Sequence, residues 1–432
     1  MLTNKILTID VGSVWVGPAT GSLQDSRIEV TGGRITRVGR RSEFGDPQGD
    51  HLSFPNHTMV PGLIDTHCHL MFGDGSRSYE AYIREDSDDL MLLRAARNAQ
   101  LHLAAGVTTL RDVGARNRIL FSLKEGLAHG LFEGPRVQAC GRPLTITGGH
   151  FWWCNQECDG VEGVRQAARQ LIKEGADLLK FMASGGGTKG TNPTIPSFSA
   201  EEIRAGTDEA RNARIMTTAH CEATASVERA IAGGIHCVEH AGFQEPDGTR
   251  TYRPDLVQQM AERGIYYSPT IQTAYGGVRR FAAKERLTAD EERRLGAQRY
   301  KLDRKLANLE KMFDSGVKVI MGTDAISHFG DYVIGLELFC HACMSPEQAL
   351  NSATAAAAEA IGLDHEIGTV EAGKAADLVI VAGDPLADIS NLRKVDCVIR
   401  NGRIFRGAAL GTDYRPLPET RREAENVAQI LA

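Results

Sequence analysis

The sequence predicts an α/β protein, in which a (β/α)8 barrel (a TIM barrel) carries a small β-sandwich domain built from both ends of the chain. Two observations lead to the barrel and to the β-rich ends of the chain. Between about residues 60 and 365, eight short apolar runs alternate with segments whose apolar residues recur at helical spacing. Outside that region the chain shows short β-rich runs separated by Gly, Asn and Asp. Eight strand–helix units in series favour a closed parallel barrel.

The elements follow one another in a regular order. Residues 1–61 and 367–432 are assigned to the two parts of the sandwich, with a C-terminal tail, and residues 62–366 to the barrel. The barrel strands are MVPGLIDTHCHL, GVTTLRDVG, RVQACG, ADLLKFMAS, RIMTTAHC, GIHCVEHAG, GIYYSPTIQ and VKVIMGTDA. A long charged segment, residues 289–313, is interpreted as an outer barrel helix rather than a coiled coil. An open doubly wound sheet is the alternative fold, but the turn after the first barrel strand is not Gly-rich.

Composition excludes several classes of protein. The 432 residues include 49 Lys and Arg against 55 Asp and Glu, which argues against a nucleic-acid binder. No apolar run approaches the ~20 residues of a membrane span, and the N-terminus lacks the apolar core of a signal peptide. We therefore expect a cytoplasmic protein that acts on a small molecule. A homo-oligomer is also expected, because barrel enzymes often assemble.

The nine cysteines are an odd number scattered over a large chain, which favours reduced thiols over a disulfide framework. Cys340 and Cys343 form a Cys-x-x-Cys pair without a second pair at zinc spacing. Two packed thiols are the favoured interpretation, and a redox or zinc role is the alternative.

Chemically reactive side chains recur where the predicted strands end, which is where barrel enzymes carry their active sites. His67 and His69 are two residues apart, so their imidazoles point to one face of a strand and suit a zinc ion. Lys180 lies in an apolar strand, where a charged amine is unfavourable unless it is paired or neutralised. Three later strands end in His220, His240 and Asp324. Six such residues at one end of a barrel favour a metal centre over core histidines and a snorkelling lysine.

These six residues, in this order, resemble the ligand set of the amidohydrolase superfamily. The resemblance covers nearly the whole chain and implies that its two ends form the β-sandwich domain. Residues 60–65, 106–112 and 373–378 are similar to landmarks of the superfamily. The Gly148-Gly149-His150 stretch and residues 180–186 are similar to the prolidase-like and imidazolonepropionase-related branch.

The resemblance implies a cofactor and a role for each residue. It implies two divalent metal ions, with zinc expected. One ion would be held by His67, His69 and Asp324, the other by His220 and His240, and both by an N6-carboxylysine at Lys180. Asp324 would transfer the proton of the attacking water, and His150 would hydrogen-bond the substrate carbonyl. The implied reaction is hydrolysis of a carbon–nitrogen bond in an amide, urea, carbamate or peptide.

Three further residues bear on the substrate. Trp152 and Trp153 follow His150, and we expect at least one of them to pack in or under the pocket. Glu222 lies two residues after His220, so strand alternation predicts that it faces the pocket and repels a substrate carboxylate. This prediction favours neutral N-acyl, aryl amide or phenylurea-type substrates. An Xaa-Pro or other dipeptidase, or an N-acyl-amino-acid carboxypeptidase, is the alternative.

Two other functions remain possible on sequence. A one-metal deaminase would lack the lysine ligand and carry a Glu near the His of the fifth strand, so Lys180 opposes it and Glu222 keeps it open. A non-catalytic scaffold would have lost metal ligands, whereas this chain retains all six.

Overall fold

The computed structural model describes residues 5–282, 284, 286–405 and 427. The strands are β1 (Ile6–Gly17), β2 (Gly21–Thr31), β3 (Arg34–Arg40), β4 (Asp50–Pro61), β5 (Leu63–Cys68), β6 (Val107–Asp112), β7 (Arg136–Ala139), β8 (Leu144–Thr145), β9 (Gln156–Glu157), β10 (Leu178–Met182), β11 (Met216–His220), β12 (Cys237–Glu239), β13 (Tyr266–Ser268), β14 (Leu378–Ala382), β15 (Val395–Arg400) and β16 (Arg403–Phe405).

The α-helices alternate with the strands through the middle of the chain. They are α1 (Tyr79–Glu85), α2 (Asp88–Ala104), α3 (Ile119–Ala128), α4 (Gly160–Glu174), α5 (Ala200–Ala213), α6 (Thr224–Gly233), α7 (Pro254–Glu262), α8 (Ile271–Ala282), α9 (Ala289–Asp314), α10 (Val333–Ala342), α11 (Pro346–Ser352) and α12 (Ala355–Ala360). Short 3-10 helices cover Arg41–Glu43 and Ile389–Arg393. Within the described part of the chain, no helix has both the length and the apolar character needed to cross a bilayer.

Strands from the two ends of the chain form one seven-stranded sheet, in the order β16-β15-β14-β4-β1-β2-β3. The junction is the antiparallel pair of β4 and β14, in which Val60 faces Val379. Ile9, Met59 and Ile380 are fully buried in the core of this sheet, because apolar residues alternate along its strands. The two ends of the chain therefore come together as predicted, whereas the sandwich form and the boundaries after residues 61 and 366 stay predictions.

The central strands are parallel and fall into two ladders. One has the order β5-β6-β7 and the other the order β13-β12-β11-β10-β8-β9. Their residues are almost all buried, as expected for a parallel sheet covered by helices. The carboxyl ends of these strands consequently lie at one edge, where the loops that follow them meet.

The predicted eighth strand is not a regular strand. Residues 317–325 make isolated bridges to the strands on both sides, one from Val319 to Tyr267 in β13 and one from Ala325 to Cys68 in β5. Thr66 N also donates to Met321 O at 3.0 Å. Asp324 adopts φ = +54°, a left-handed conformation that ends an extended run. The segment nevertheless lies between β13 and β5, and this position brings Asp324 to the histidines of β5.

None of the nine cysteines, all of which lie in the described residues, forms a disulfide. Cys340 and Cys343 are half-buried and pack against the main hydrophobic core. Their environment agrees with the interpretation of two packed thiols.

Candidate metal centre

His67 and His69 lie at the carboxyl end of β5, and their side chains contact Asp324. The Nδ1 atom of His67 lies 2.7 Å from Oε2 of Glu239, and Nδ1 of His69 lies 3.0 Å from the carbonyl oxygen of Gly114. Their Nε2 atoms lie 3.3 and 3.5 Å from Oδ1 of Asp324. An imidazole that uses Nδ1 for an oxygen partner presents Nε2 as its metal-binding nitrogen. Ligand atoms of His67, His69 and Asp324 lie within 4.8 Å of one another, so this group could hold a metal ion.

His220 and His240 form a second pair beside the first. Their ring centroids are 4.6 Å apart, and the ring of His240 lies 5.3 Å from that of His67. Nε2 of His220 lies 3.2 Å from the carbonyl oxygen of Gly185, and Nδ1 of His240 lies 2.6 Å from Oγ1 of Thr270. The nitrogens left for a metal are therefore Nδ1 of His220 and Nε2 of His240.

Lys180 is fully buried in β10, and its Nζ atom has no hydrogen-bond partner among the described residues. Burial lowers the pKa of Lys180, against the opposing charges of Glu239 and Asp324. Burial and then the charge of Lys180 lower the pKa of His220 to about 3. An amine with no hydrogen-bond partner among the described residues, beside a histidine whose pKa is lowered, fits a site that binds cations. The residues present therefore fit a divalent metal centre.

Glu239 is the residue of this centre that sequence reasoning missed. It is fully buried, binds His67 and accepts a hydrogen bond from Nη2 of Arg111 at 2.9 Å and another from Thr218. Burial raises its pKa, but His67, Lys180 and Arg111 together hold the pKa of Glu239 well below its usual range. The argument applied to Lys180, that a charged residue within an apolar strand needs a role, would have found it.

Asp65 hydrogen-bonds to both segments that carry the group of His67, His69 and Asp324. Its Oδ1 accepts hydrogen bonds from the backbone N–H of His67 at 3.1 Å and of Thr323 at 3.0 Å. Its Oδ2 accepts from the hydroxyl of Thr323 at 2.6 Å. Burial raises the pKa of Asp65 to about 6, although these hydrogen bonds oppose the shift. Asp65 thus fixes the distance between β5 and the loop of Asp324. Asp112 similarly holds the backbone N–H groups of Leu70 and Gly114, at 2.7 and 3.0 Å.

His150 joins the histidine cluster from the loop after β8. Its ring centroid lies 4.6 Å from that of His220, and its Nδ1 lies 2.7 Å from Oγ1 of Thr188. Burial, and then His220, lower the pKa of His150 well below its usual value. Gly186 covers the ring so closely that a Cβ there would lie 2.6 Å from the imidazole. The Gly-rich loop after β10 therefore packs on His150.

An aromatic cluster adjoins this edge of the site. Phe151 lies nearly parallel to the ring of His69, with centroids 6.3 Å apart, and contacts Trp153 and Tyr79 at 5.2 Å each. Trp152 is 41% exposed. Trp153 is partly buried against the main hydrophobic core, while Trp152 lies at the surface. Contact of either tryptophan with the substrate stays a prediction.

The position of Glu222 differs from the one that strand alternation predicted. β11 ends at His220, so the two residues do not share a strand face. Oε2 of Glu222 lies 3.2 Å from Nη1 of Arg250. Burial raises the pKa of Glu222, but the larger combined effect of Lys301, Lys305 and Arg250 lowers it below its usual value. The argument from strand alternation is therefore wrong, and cations compensate this carboxylate. The preference against a substrate carboxylate stays a prediction.

Imidazoles and a carboxylate gathered at the carboxyl edge of parallel strands define a metal-dependent enzyme of the α/β class. The chain belongs to the amidohydrolase family, whose profile matches residues 58–405. It is 27% identical over 386 residues to ochratoxinase of Aspergillus niger, covering 82% of this chain and 76% of that protein. It is 24% identical over 408 residues to imidazolonepropionase of Cutibacterium acnes, covering 89% and 92%.

A solved structure agrees with the sequence relatives. The crystal structure of a Xaa-Pro dipeptidase with bound methionine superposes with a TM-score of 0.82 at 25% identity, covering 93% of this chain and 100% of that one. The superfamily resemblance seen in the sequence is confirmed. The protein is a hydrolase that acts on carbon–nitrogen bonds, its fold is of the TIM-barrel type with an added sheet domain, and its family implies a divalent metal.

Glu239→Gln is expected to weaken metal binding by ~10–100-fold, the usual effect of changing the partner of a metal-binding histidine. Glutamine is uncharged, and its single side-chain oxygen cannot accept hydrogen bonds from His67 and Arg111 as the two carboxylate oxygens do. The imidazole of His67 therefore loses orientation and basicity. Titration of the metal-loaded protein with a chelator measures this change. The exposed Glu228→Gln is the matched control. Equal affinity in the Glu239 and Glu228 variants would contradict the prediction.

Proposed function

We propose that the protein hydrolyses an amide-type carbon–nitrogen bond of a small molecule at a centre of two divalent metal ions, with zinc as the expected metal. The observation that carries this proposal is the buried, unpartnered Nζ of Lys180 beside the histidine cluster. A structural lysine would be expected to have acceptors around it. A lysine that becomes a ligand needs none until it is modified.

In the proposed ligand sets, each histidine binds a metal ion through the ring nitrogen that its hydrogen bond to a neighbouring residue leaves available. His67, His69 and Asp324 would hold one ion, and His220 and His240 the other. Lys180 would serve both as an N6-carboxylysine. The neutral amine adds to carbon dioxide and loses a proton, and the product is an anionic carbamate with two ligand oxygens. When bound, the ions would polarise the scissile carbonyl and lower the pKa of a water molecule.

Asp324 and His150 would carry the proton and charge movements. Burial raises the pKa of Asp324, but His67, His69 and His240 together hold it well below its usual value, so its carboxylate is anionic. It would take the proton of the attacking water and pass it to the leaving nitrogen. The hydroxyl of Thr188 accepts from the backbone N–H of Phe151 at 3.0 Å and can donate to Nδ1 of His150. The N–H at Nε2 would then stabilise the developing oxyanion.

The aromatic cluster supports a substrate with an aromatic or large apolar group. Phe151 and Trp153 form apolar surface next to His69 and His150. N-acyl, aryl amide and phenylurea-type compounds are therefore the proposed substrates. The charge compensation of Glu222 by Arg250 favours a second candidate, an N-acyl-amino-acid carboxypeptidase or a dipeptidase such as an Xaa-Pro dipeptidase. The same pairing disfavours a deaminase, which would need a free carboxylate beside His220.

A substrate panel tests the proposal. Zinc-loaded protein is assayed for kcat/KM with aryl amides, phenylureas, N-acyl-amino acids and Xaa-Pro dipeptides, and each acid is compared with its amide. Cleavage of a carbon–nitrogen bond into two organic products supports the proposal, and preference for the free acid selects the second candidate. Release of ammonia alone from a heterocycle would contradict it in favour of deamination.

The protein is expected to bind two divalent metal ions per chain, because five side-chain ligands and a bridging lysine serve two sites. Elemental analysis after zinc loading and dialysis measures this number. Exhaustive chelation should abolish hydrolysis, and returning zinc should restore it. A single tightly bound ion would point to the deaminase alternative.

We also infer that the two parallel ladders and residues 317–325 close into one barrel. The bridges of residues 317–325 to β13 and β5 support closure on one side. On the other side, Asp177 N, just before β10, donates to Ala139 O of β7 at 2.9 Å. We also propose that the domain boundaries lie after residues 61 and 366. A cytoplasmic location is proposed as well.

A homo-oligomer is the expected state in solution. Sedimentation velocity at micromolar concentration measures it, and a sole species of 46.9 kDa would contradict the expectation.

A further inference from the structure

Lys305 is a buried cation on a helix whose sequence predicts a solvated outer surface. It belongs to α9, and only 5% of its surface is exposed. A buried ammonium is unfavourable unless oxygen atoms replace its hydration shell. The partners of Lys305 therefore indicate why it is there.

Those partners form one corner of the chain, directly after β13. Nζ of Lys305 lies 3.0 Å from the carbonyl oxygen of Pro269, 3.2 Å from Oγ1 of Thr270 and 3.5 Å from the carbonyl oxygen of Thr270. Thr270 has φ = +47°, a left-handed conformation that is unfavourable for a β-branched residue. The three donors of the ammonium thus match three acceptors of a strained corner.

Thr270 connects this corner to the metal centre. Its Oγ1 lies 2.6 Å from Nδ1 of His240 and 2.8 Å from the carbonyl oxygen of Pro269. The hydroxyl has a single proton, which the carbonyl of Pro269 accepts, and the ammonium of Lys305 can only donate. Oγ1 is consequently an acceptor toward His240, so the imidazole carries its proton on Nδ1 and has a free lone pair on Nε2.

We propose that Lys305 is a positioning residue that acts through Thr270 and holds His240 in the orientation and tautomer that bind a metal ion. The inference rests on the proposed function, in which His240 is a ligand of the second ion. Without the ammonium, the hydroxyl of Thr270 can rotate and donate to Nδ1. The proton of the imidazole then lies on Nε2, and that nitrogen cannot bind a metal.

The test measures the affinity of each metal site in the full-length protein. Zinc-loaded protein is titrated with a chelator, and the two dissociation constants are compared between variants. Lys305→Met and Thr270→Val should each weaken one site by ~10–100-fold and leave the other unchanged. The double variant should be no weaker than Thr270→Val alone, because both changes break the same chain of hydrogen bonds.

Two controls separate this role from general effects of charge and packing. Lys301→Met removes the same charge one turn earlier on α9, and Thr270→Ser retains the hydroxyl. Both should stay within about twofold of the wild type, because Lys301 lies outside the chain of hydrogen bonds and serine keeps the hydroxyl that takes part in it. Lys305→Gln serves in place of Lys305→Met if the latter does not fold, as judged by circular dichroism.

A direct readout is the tautomer of His240 in metal-free protein, from the ¹⁵N shifts of its ring. The wild type should show the proton on Nδ1, and the Lys305 variants should show it partly on Nε2. A folded Lys305 variant with wild-type affinity at both sites and an unchanged tautomer would overturn the inference. So would equal weakening by Lys301→Met. Wild-type protein that binds no divalent ion would overturn the proposed function itself, which distinguishes the two failures.

Discussion

Lys180→Ala is expected to lower kcat/KM by ~1000-fold, because loss of a shared ligand removes several kcal/mol of transition-state stabilisation. The Nζ atom of Lys180 has no other hydrogen-bond partner among the described residues, so the substitution breaks no hydrogen bond. The vacated space lies beside the histidine cluster. Formate or acetate that enters it can supply two oxygens in place of the carbamate, so either acid should restore part of the activity.

Lys180→Met separates a catalytic role from a structural one. Methionine has a similar length but no charge, and in the metal-free protein it removes an unsatisfied buried amine that costs about 1–3 kcal/mol. The variant should therefore be inactive yet at least as stable to unfolding as the metal-free wild type. Lys173→Ala, an exposed lysine at the end of α4, is the matched control. Activity of Lys180→Ala within tenfold of the wild type, without added acid, would rule out the proposed ligand role.

Asp324→Asn is expected to lower kcat by ~100–10,000-fold, the range in which general acid–base catalysis contributes. The amide cannot accept the proton of the attacking water, and it is a poorer metal ligand than the carboxylate. Asparagine tolerates the left-handed backbone at this position, where φ = +54°, so the fold should be retained. A loss of kcat with both metal ions still bound would assign proton transfer to Asp324, whereas loss of an ion would assign ligation.

The control for this variant is Asp314→Asn, which changes an exposed carboxylate at the end of α9. It should leave kcat, KM and metal content unchanged. A kcat of Asp324→Asn within tenfold of the wild type would contradict both proposed roles of Asp324.

The sequence could predict that side chains of the metal centre lie at the strand ends. His67, Lys180 and His220 stand in short apolar runs, and a parallel sheet brings the carboxyl ends of such runs to one edge. Residue type and strand order were sufficient here, because both are local properties of the chain. The landmarks in the sequence also led to the amidohydrolase family, which the match over residues 58–405 confirms.

The error about Glu222 arose at a strand end, where local pattern is least informative. β11 stops at His220, and the side chain of Glu222 is then placed by Arg250 from a later loop. The eighth strand was predicted as regular, but isolated bridges and the conformation of Asp324 replace a ladder. Both features depend on contacts that a periodic pattern does not record.

The sequence by itself determined the alternation of strands and helices and the chemical types at the strand ends, because each depends on neighbouring residues. Only the tertiary structure decided which groups hold those side chains. Glu239 meets His67 across 172 positions of the chain, and Lys305 meets Thr270 across 35. The orientation and protonation of an imidazole depend on an oxygen atom within about 3 Å, and folding alone brings such distant residues that close.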